Sequence, residues 1–189
     1  MEKIIKKRLI ESAEIKERIA AEGSGEIADI AEMIIDCYKR GGKVVLFGNG
    51  GSAADAQHLA AELIGRFKLD RCALPAIALT TDTSVLTAIG NDYGFDQIFE
   101  KQVEGIVNKG DVAIGITTSG KSINVIKAIQ KAKSIGAVTI GFTGAEGGKI
   151  SQIADHTIKV PSDDTPRIQE AHITIGHIIC ELIESTLFK

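Results

Sequence analysis

Apolar positions recur along this chain with two different periods, and the two alternate. Near the N-terminus the spacing is helical: residues 2–21 set Ile5, Leu9, Ala13 and Ile19 among charged positions. Glu22-Gly23-Ser24-Gly25 interrupts that pattern, and Ser24 is a candidate N-cap for a second helix. This helix carries Ile27, Ile30, Ala31, Ile34, Ile35 and Tyr38 and stops at Gly41-Gly42. From there, short apolar runs at 43–47, 75–80, 111–116, 137–142 and 156–160 read as strands. Segments with helical character lie between and after them, at 52–65, 83–90, 95–108, 121–135, 147–153 and 166–187. Strands that are apolar on both faces and bounded by helices predict an α/β fold with a doubly wound parallel five-stranded sheet. We place an N-terminal helical arm at 1–40 and the sheet domain at 41–189, one globular unit overall. Two readings of the first helix stay open: an arm packed on a partner chain, or a helix lying on its own domain.

Sheets of this kind bind ligands beyond the carboxyl ends of their strands. Gly48–Ser52, Thr80–Asp82, Thr117–Ser122 and Thr143–Gly148 lie at such ends. The richest is Gly48-Asn49-Gly50-Gly51-Ser52, a glycine-rich turn from a strand into a helix, whose free backbone N–H groups attract an anion. Further along the same helix, His58 and Glu62 stand at i and i+4 on one face. They read either as an acid/base pair beside the anion cradle or as an ordinary surface pair. The small residues around them, Ala53, Ala54, Ala60 and Ala61, let that helix pack closely.

Two familiar patterns invite misreading. Gly48-Asn49-Gly50-Gly51-Ser52-Ala53 fits the dinucleotide fingerprint, but the second strand, whose end should carry the ribose-binding acid, ends near Asp82, later than that fingerprint expects. Gly115-Ile116-Thr117-Thr118-Ser119-Gly120-Lys121-Ser122 fits the Walker A pattern, yet Gly115 belongs to an apolar strand run. No strand elsewhere ends in a convincing Mg²⁺-holding Asp. The segment reads better as a phosphate cup lined by the hydroxyls of Thr117, Thr118, Ser119 and Ser122, against the simpler reading of N-capping by Ser119 or Ser122. The last helix adds Arg167, Gln169, Glu170, His172 and His177; His177 sits in an apolar setting, open to a structural or a functional role.

Composition narrows the class. The 189 residues are 44% hydrophobic and only 4% aromatic, so aliphatic side chains build the core. A net charge of −3 argues against nucleic acid as a partner. Cys37, Cys72 and Cys180 have no metal or disulfide spacing and read as free thiols of a reducing, cytoplasmic compartment. No apolar run has the length of a membrane span, so no membrane partner is expected.

The segments GNGGSAADAQHLAAELIGR at 48–66, AIGNDYGF at 88–95, TTSGKSINVIKA at 117–128 and RIQEAHITIGH at 167–177 together resemble the sugar isomerase (SIS) domain family, in its branch acting on seven-carbon sugar phosphates. The likeness covers nearly the whole chain and implies a flavodoxin-like sheet. It implies aldose–ketose isomerisation of sedoheptulose 7-phosphate to D-glycero-D-manno-heptose 7-phosphate through an enediol, a step toward bacterial surface heptose. On the same ground Glu62 is the expected base and His177 its acid partner. His58, Glu62, Gln169 and His177 are the expected ligands of one Zn²⁺ per subunit. Asn49, Gly50, Gly51, Ser52, Glu62, Asn91, Asp92, Thr117, Thr118, Ser119, Ser122 and Gln169 are the expected substrate contacts. Thr117 stands where the family pattern has serine, one hydroxyl for another, and Ile123 also departs from some relatives. The alternative is a non-catalytic relative of the DnaA initiator-associating type, or a sugar-phosphate sensor. The former needs no acid/base pair, and no DNA-binding module is visible for a sensor. If Gln169 and His177 share one continuous helix, about 12 Å of axial rise separates them, which favours a site shared between chains of a homo-oligomer. The resemblance implies a tetramer.

Overall fold

The computed structural model describes residues 1–189. Strands β1 (Val44–Gly48), β2 (Ala76–Ala78), β3 (Val112–Ile116), β4 (Val138–Thr143) and β5 (His156–Lys159) form an all-parallel sheet in the order β2-β1-β3-β4-β5. Central strands β1 and β3 are buried at every position, which is why they read as unbroken apolar runs. The helices are α1 (Glu2–Glu22), α2 (Ser24–Lys39), α3 (Gly51–Ile64), α4 (Thr83–Asp92), α5 (Glu100–Ile106), α6 (Ile123–Ile135), α7 (Ile150–Ile153) and α8 (Thr165–Leu187).

Alternation along the strands divides the core into two layers. Val44, Leu46, Val112, Ile114, Ile116, Ile140 and Phe142 face α2, α3 and α8. Val45, Phe47 and Ala113 face α5, α6 and α7, with Phe99, Val103, Val125, Ile129 and Ile150 as their main partners. The doubly wound expectation therefore holds, with the switch point between β1 and β3.

Several expected boundaries move. The helix expected over 95–108 is a 3₁₀ turn at Phe95–Gln97 followed by α5. The helix expected from residue 147 starts only at Ile150, because Gly147 and Gly148 adopt left-handed backbone that no helix continues. Ser24 is not the N-cap of α2; that position is Gly23, and no side chain caps it. The stretch expected as an arm over 1–40 divides in two. Helix α2 buries Ile27, Ile30, Ala31, Ile34, Ile35 and Cys37 in the sheet's core layer, whereas α1 buries no residue. Its second half lies against that layer through Ile15 and Ile19, and Arg167 Nη1 donates to the Arg8 carbonyl at 2.8 Å. Ile4, Ile5, Leu9 and Ile10 face solvent.

Helix α8 is tied to the end of β4 by His172. This ring is 1% exposed, donates from Nε2 to the Thr143 carbonyl at 3.2 Å, and packs on Phe142 at 5.6 Å between ring centroids. Burial disfavours its charged form and outweighs the carbonyl bond, lowering its pKa to about 4. Unfolding raises that pKa to its ordinary value near 6.5, so the unfolded chain binds the extra proton first. Stability contributed by neutral His172 is therefore complete above pH 6.5 and declines as pH falls from there toward 4. His172→Gln should flatten the stability slope across that window in urea titrations; an unchanged slope would assign the pH dependence to other groups.

Candidate active site

The glycine-rich turn leaves β1 at Gly48 and enters α3 through Gly50, whose φ of +57° requires glycine. No side chain caps the N-terminus of α3. Helix α6 starts across the sheet from it, and it too lacks a side-chain cap. Ser122, at the α6 N-cap position, instead shares a 2.9 Å hydrogen bond with the Thr117 hydroxyl, and Ser119 Oγ accepts from the Lys121 N–H at 3.2 Å. The capping reading of these serines thus fails at the helix end itself. Two helix N-termini with no side-chain bond from their N-cap residues flank a set of hydroxyls, a setting suited to a dianion such as phosphate.

The two loops are locked together by a pair the sequence reading missed. Asn49 Nδ2 donates to Asn124 Oδ1 at 2.9 Å, and Asn124 Nδ2 donates back to Asn49 Oδ1 at 2.9 Å. Asn124 is 4% exposed. Its position two residues after the Gly-Lys-Ser stretch was the only signal, and a lone Asn early in a helix is common. The side chain of Asn49, expected as a substrate contact, is thereby committed to holding the cradle's shape.

Helices α3 and α8 run side by side in the same direction, and two glycines set their spacing. A Cβ at Gly176 would lie 2.5 Å from Leu59 Cδ2, and one at Gly51 would lie 2.3 Å from Gln169 Nε2. Gln169 therefore rests on the backbone of the cradle. About 9 Å further along α3, six residues past Ser52, His58 faces His177 of α8. Their Nε2 atoms are 2.8 Å apart, and His58 Nε2 is 3.3 Å from Glu62 Oε1. One ligand atom from each of His58, Glu62 and His177 falls within 4.8 Å of the others, a group able to hold a metal ion. Three acceptor-capable atoms converging on one point repel one another unless a proton or a cation sits between them. Phe67 covers the His177 ring at 5.6 Å.

Some expected residues are not brought in. Gln169 and His177 share the unbroken helix α8, so within one chain Gln169 serves the cradle and stands about 12 Å along the axis from the histidine it was expected to join at a metal. Asn91 and Asp92 lie at the last turn of α4, exposed and bonded to each other at 2.8 Å. Lys121 forms an exposed ion pair with Glu146 at 2.8 Å. Both decoys dissolve: Gly115 pairs within β3, and Asp82 caps α4 by accepting from the Val85 N–H at 3.0 Å. His156, at the start of β5, hydrogen-bonds Glu26 at 3.2 Å.

Comparison with known proteins agrees with this geometry. The SIS domain family model matches residues 9–144. The phosphoheptose isomerase of Aquifex aeolicus is 62% identical over 180 residues, 95% of this chain and 94% of that protein. The phosphoheptose isomerase of Clostridium acetobutylicum is 55% identical over 190 residues, 100% and 97% of the two chains. The solved phosphoheptose isomerase of Francisella tularensis superposes with a TM-score of 0.94 at 39% identity, covering 97% of each chain. That of Neisseria gonorrhoeae gives 0.93 at 44% identity, covering 97% of this chain and 98% of the other.

If Asn124 locks the cradle, Asn124→Ala strands both polar groups of Asn49 and should cost about 1–3 kcal/mol in thermal unfolding. Asn124→Asp keeps one of the two bonds but turns a buried carboxylate oxygen toward Asn49 Oδ1, so it should be destabilising as well. Equal stability of the alanine variant and the native chain would refute the lock.

Proposed function

We infer the function from one premise: the chain belongs to the SIS domain family, in its phosphoheptose isomerase branch. It is an aldose–ketose isomerase, converting sedoheptulose 7-phosphate to D-glycero-D-manno-heptose 7-phosphate. The observation that carries the reading is the α3–α8 pair, with a phosphate cradle at one end and a His–Glu–His group at the other. That spacing suits a substrate whose phosphate and reacting carbons are at opposite ends of its chain.

The reaction moves one carbon-bound proton from C1 to C2. Glu62 takes it from C1, and the same carboxyl returns it at C2 of the enediol. His177 gives a proton to O2 as the carbonyl is lost and recovers one from O1, so no net proton is consumed. The hydroxyls of Ser119 and Ser122, with the N-termini of α3 and α6, hold the phosphate in ground and transition states alike. Their role is to position C1 and C2. Zinc, one ion per subunit, is the cation proposed for His58, Glu62 and His177, since two imidazoles and a carboxylate match a three-ligand site with an open position. When bound, it would polarise the sugar's carbonyl group in place of the His177 proton, because an imidazole nitrogen held by a metal has none to give. A non-catalytic role leaves this convergence without a purpose.

The protein is proposed to work as a homo-oligomer, a tetramer by resemblance, in the cytoplasm; its three unpaired cysteines accord with that compartment. Sharing of sites between copies is supported by Asn91 and Asp92, exposed on α4, and by the distance of Gln169 from His177. A second copy would bring the missing groups.

Incubation with sedoheptulose 7-phosphate should yield the aldose, and Glu62→Gln should abolish turnover while leaving the fold intact. Near-native kcat in that variant would remove Glu62 as the base. Mixing Glu62→Gln subunits with inactive Asp92→Ala subunits should restore partial activity after subunit exchange. An active monomer in sedimentation, or failed complementation after proven exchange, would exclude the shared site.

A further inference from the structure

Beyond the reacting group, α3 and α8 are joined by a buried charge cluster that the chemistry above does not use. Glu184, seven residues after His177 on α8, accepts from three consecutive backbone N–H groups: Phe67 at 2.9 Å, Lys68 at 2.7 Å and Leu69 at 2.7 Å. Arg71 Nε donates to the same carboxylate at 3.0 Å, and both side chains are 2% exposed. The rest of the guanidinium turns to the end of α3. Nη2 donates to the Glu62 carbonyl and Nη1 to that of Leu63, each at 2.9 Å. Arg71 therefore closes the C-terminus of α3 at the residue that carries the base. Glu184 holds the loop whose Phe67 ring covers His177 at 5.6 Å.

A buried ion pair adds little net stability over apolar residues of the same volume. Its distinctive effect here is geometric, since it fixes the last turn of α3, the 67–71 loop and α8 in one register. We propose that Arg71 and Glu184 are positioning residues of the isomerase, a clasp that sets Glu62 against His177 and holds Phe67 over the imidazole. The inference rests on the isomerase reading. It also predicts an effect confined to one end of the site, because the phosphate cradle lies two turns or more away along α3 and is built by other contacts.

The test is Glu184→Gln, which preserves shape but exchanges an acceptor oxygen for an amide donor facing N–H groups. kcat should fall on the order of 10²-fold, as displacement of a reacting group by about 1 Å does. KM and inhibition by inorganic phosphate should stay within about twofold, since uniform binding is untouched. In NMR spectra of the folded variant, the His177 ring protons should shift toward their position in Phe67→Leu, which removes the aromatic ring current. Native kcat with unmoved His177 signals would overturn the proposal. So would a parallel loss of phosphate affinity, which marks general loosening. If Glu184→Gln does not fold, Arg71→Lys, which cannot reach Glu62, Leu63 and Glu184 together, is read by the same measurements. A native enzyme inactive on the heptose phosphate would overturn the isomerase reading alone; the His177 signals and phosphate affinity would still decide the clasp.

Discussion

The close, parallel approach of α3 and α8 is the constraint on which this molecule depends. Both helices follow strands of one parallel sheet, so both run the same way across its face. What brings them into direct contact is the absence of side chains at Gly51 and Gly176. A methyl group at Gly176 would push against Leu59, whose Cδ2, Cδ1 and Cγ lie within 3.1 Å of it, whereas one at Gly51 would meet only the carboxamide tip of Gln169. The side chains of His58 and His177 bridge the two helices with a 2.8 Å contact, so a wider spacing would separate them.

The ends of the pair are held by different chemistry. At the cradle, neutral groups do the work: a reciprocal carboxamide pair, hydroxyls and free helix N-termini. Positive potential there comes from backbone dipoles, which suits the site to the proposed phosphate without a basic side chain. Lys121, beside these hydroxyls, is turned to Glu146. Such a site is compatible with the chain's net negative charge.

At the other end the holding groups are charged and buried. Burial raises the pKa of Glu184, but three backbone donors and Arg71 more than reverse it, down to about 2. The carboxylate stays ionised through the neutral range, and the bonds it accepts persist with it. His172 shows the opposite outcome, a buried ring with one carbonyl partner that stays neutral instead. The difference lies in the number of partners: a charge is kept inside only where enough donors replace water.

Much of this was legible in the chain itself. Runs such as Val112–Ile116 are apolar at consecutive positions because parallel strands are covered on both faces, and that pattern survives without any knowledge of partners. The cradle was legible for a similar reason: a glycine turn between strand and helix is a local device, and Gly50 and Ser52 need no distant residue to form it. His58 and Glu62 were legible because helical periodicity alone places them on one face. Asn124, Arg71 and Glu184 were not. Asn124 acts on a residue 75 positions away, and Glu184 on a loop more than 110 away. Their residue types fit many surface positions equally well. Only the packing of α6 on the sheet and of α8 on α3 buries them, and burial is what turns an ordinary polar side chain into one that must find partners. Local sequence sets what a helix is, while the layers it joins determine which of its faces meet.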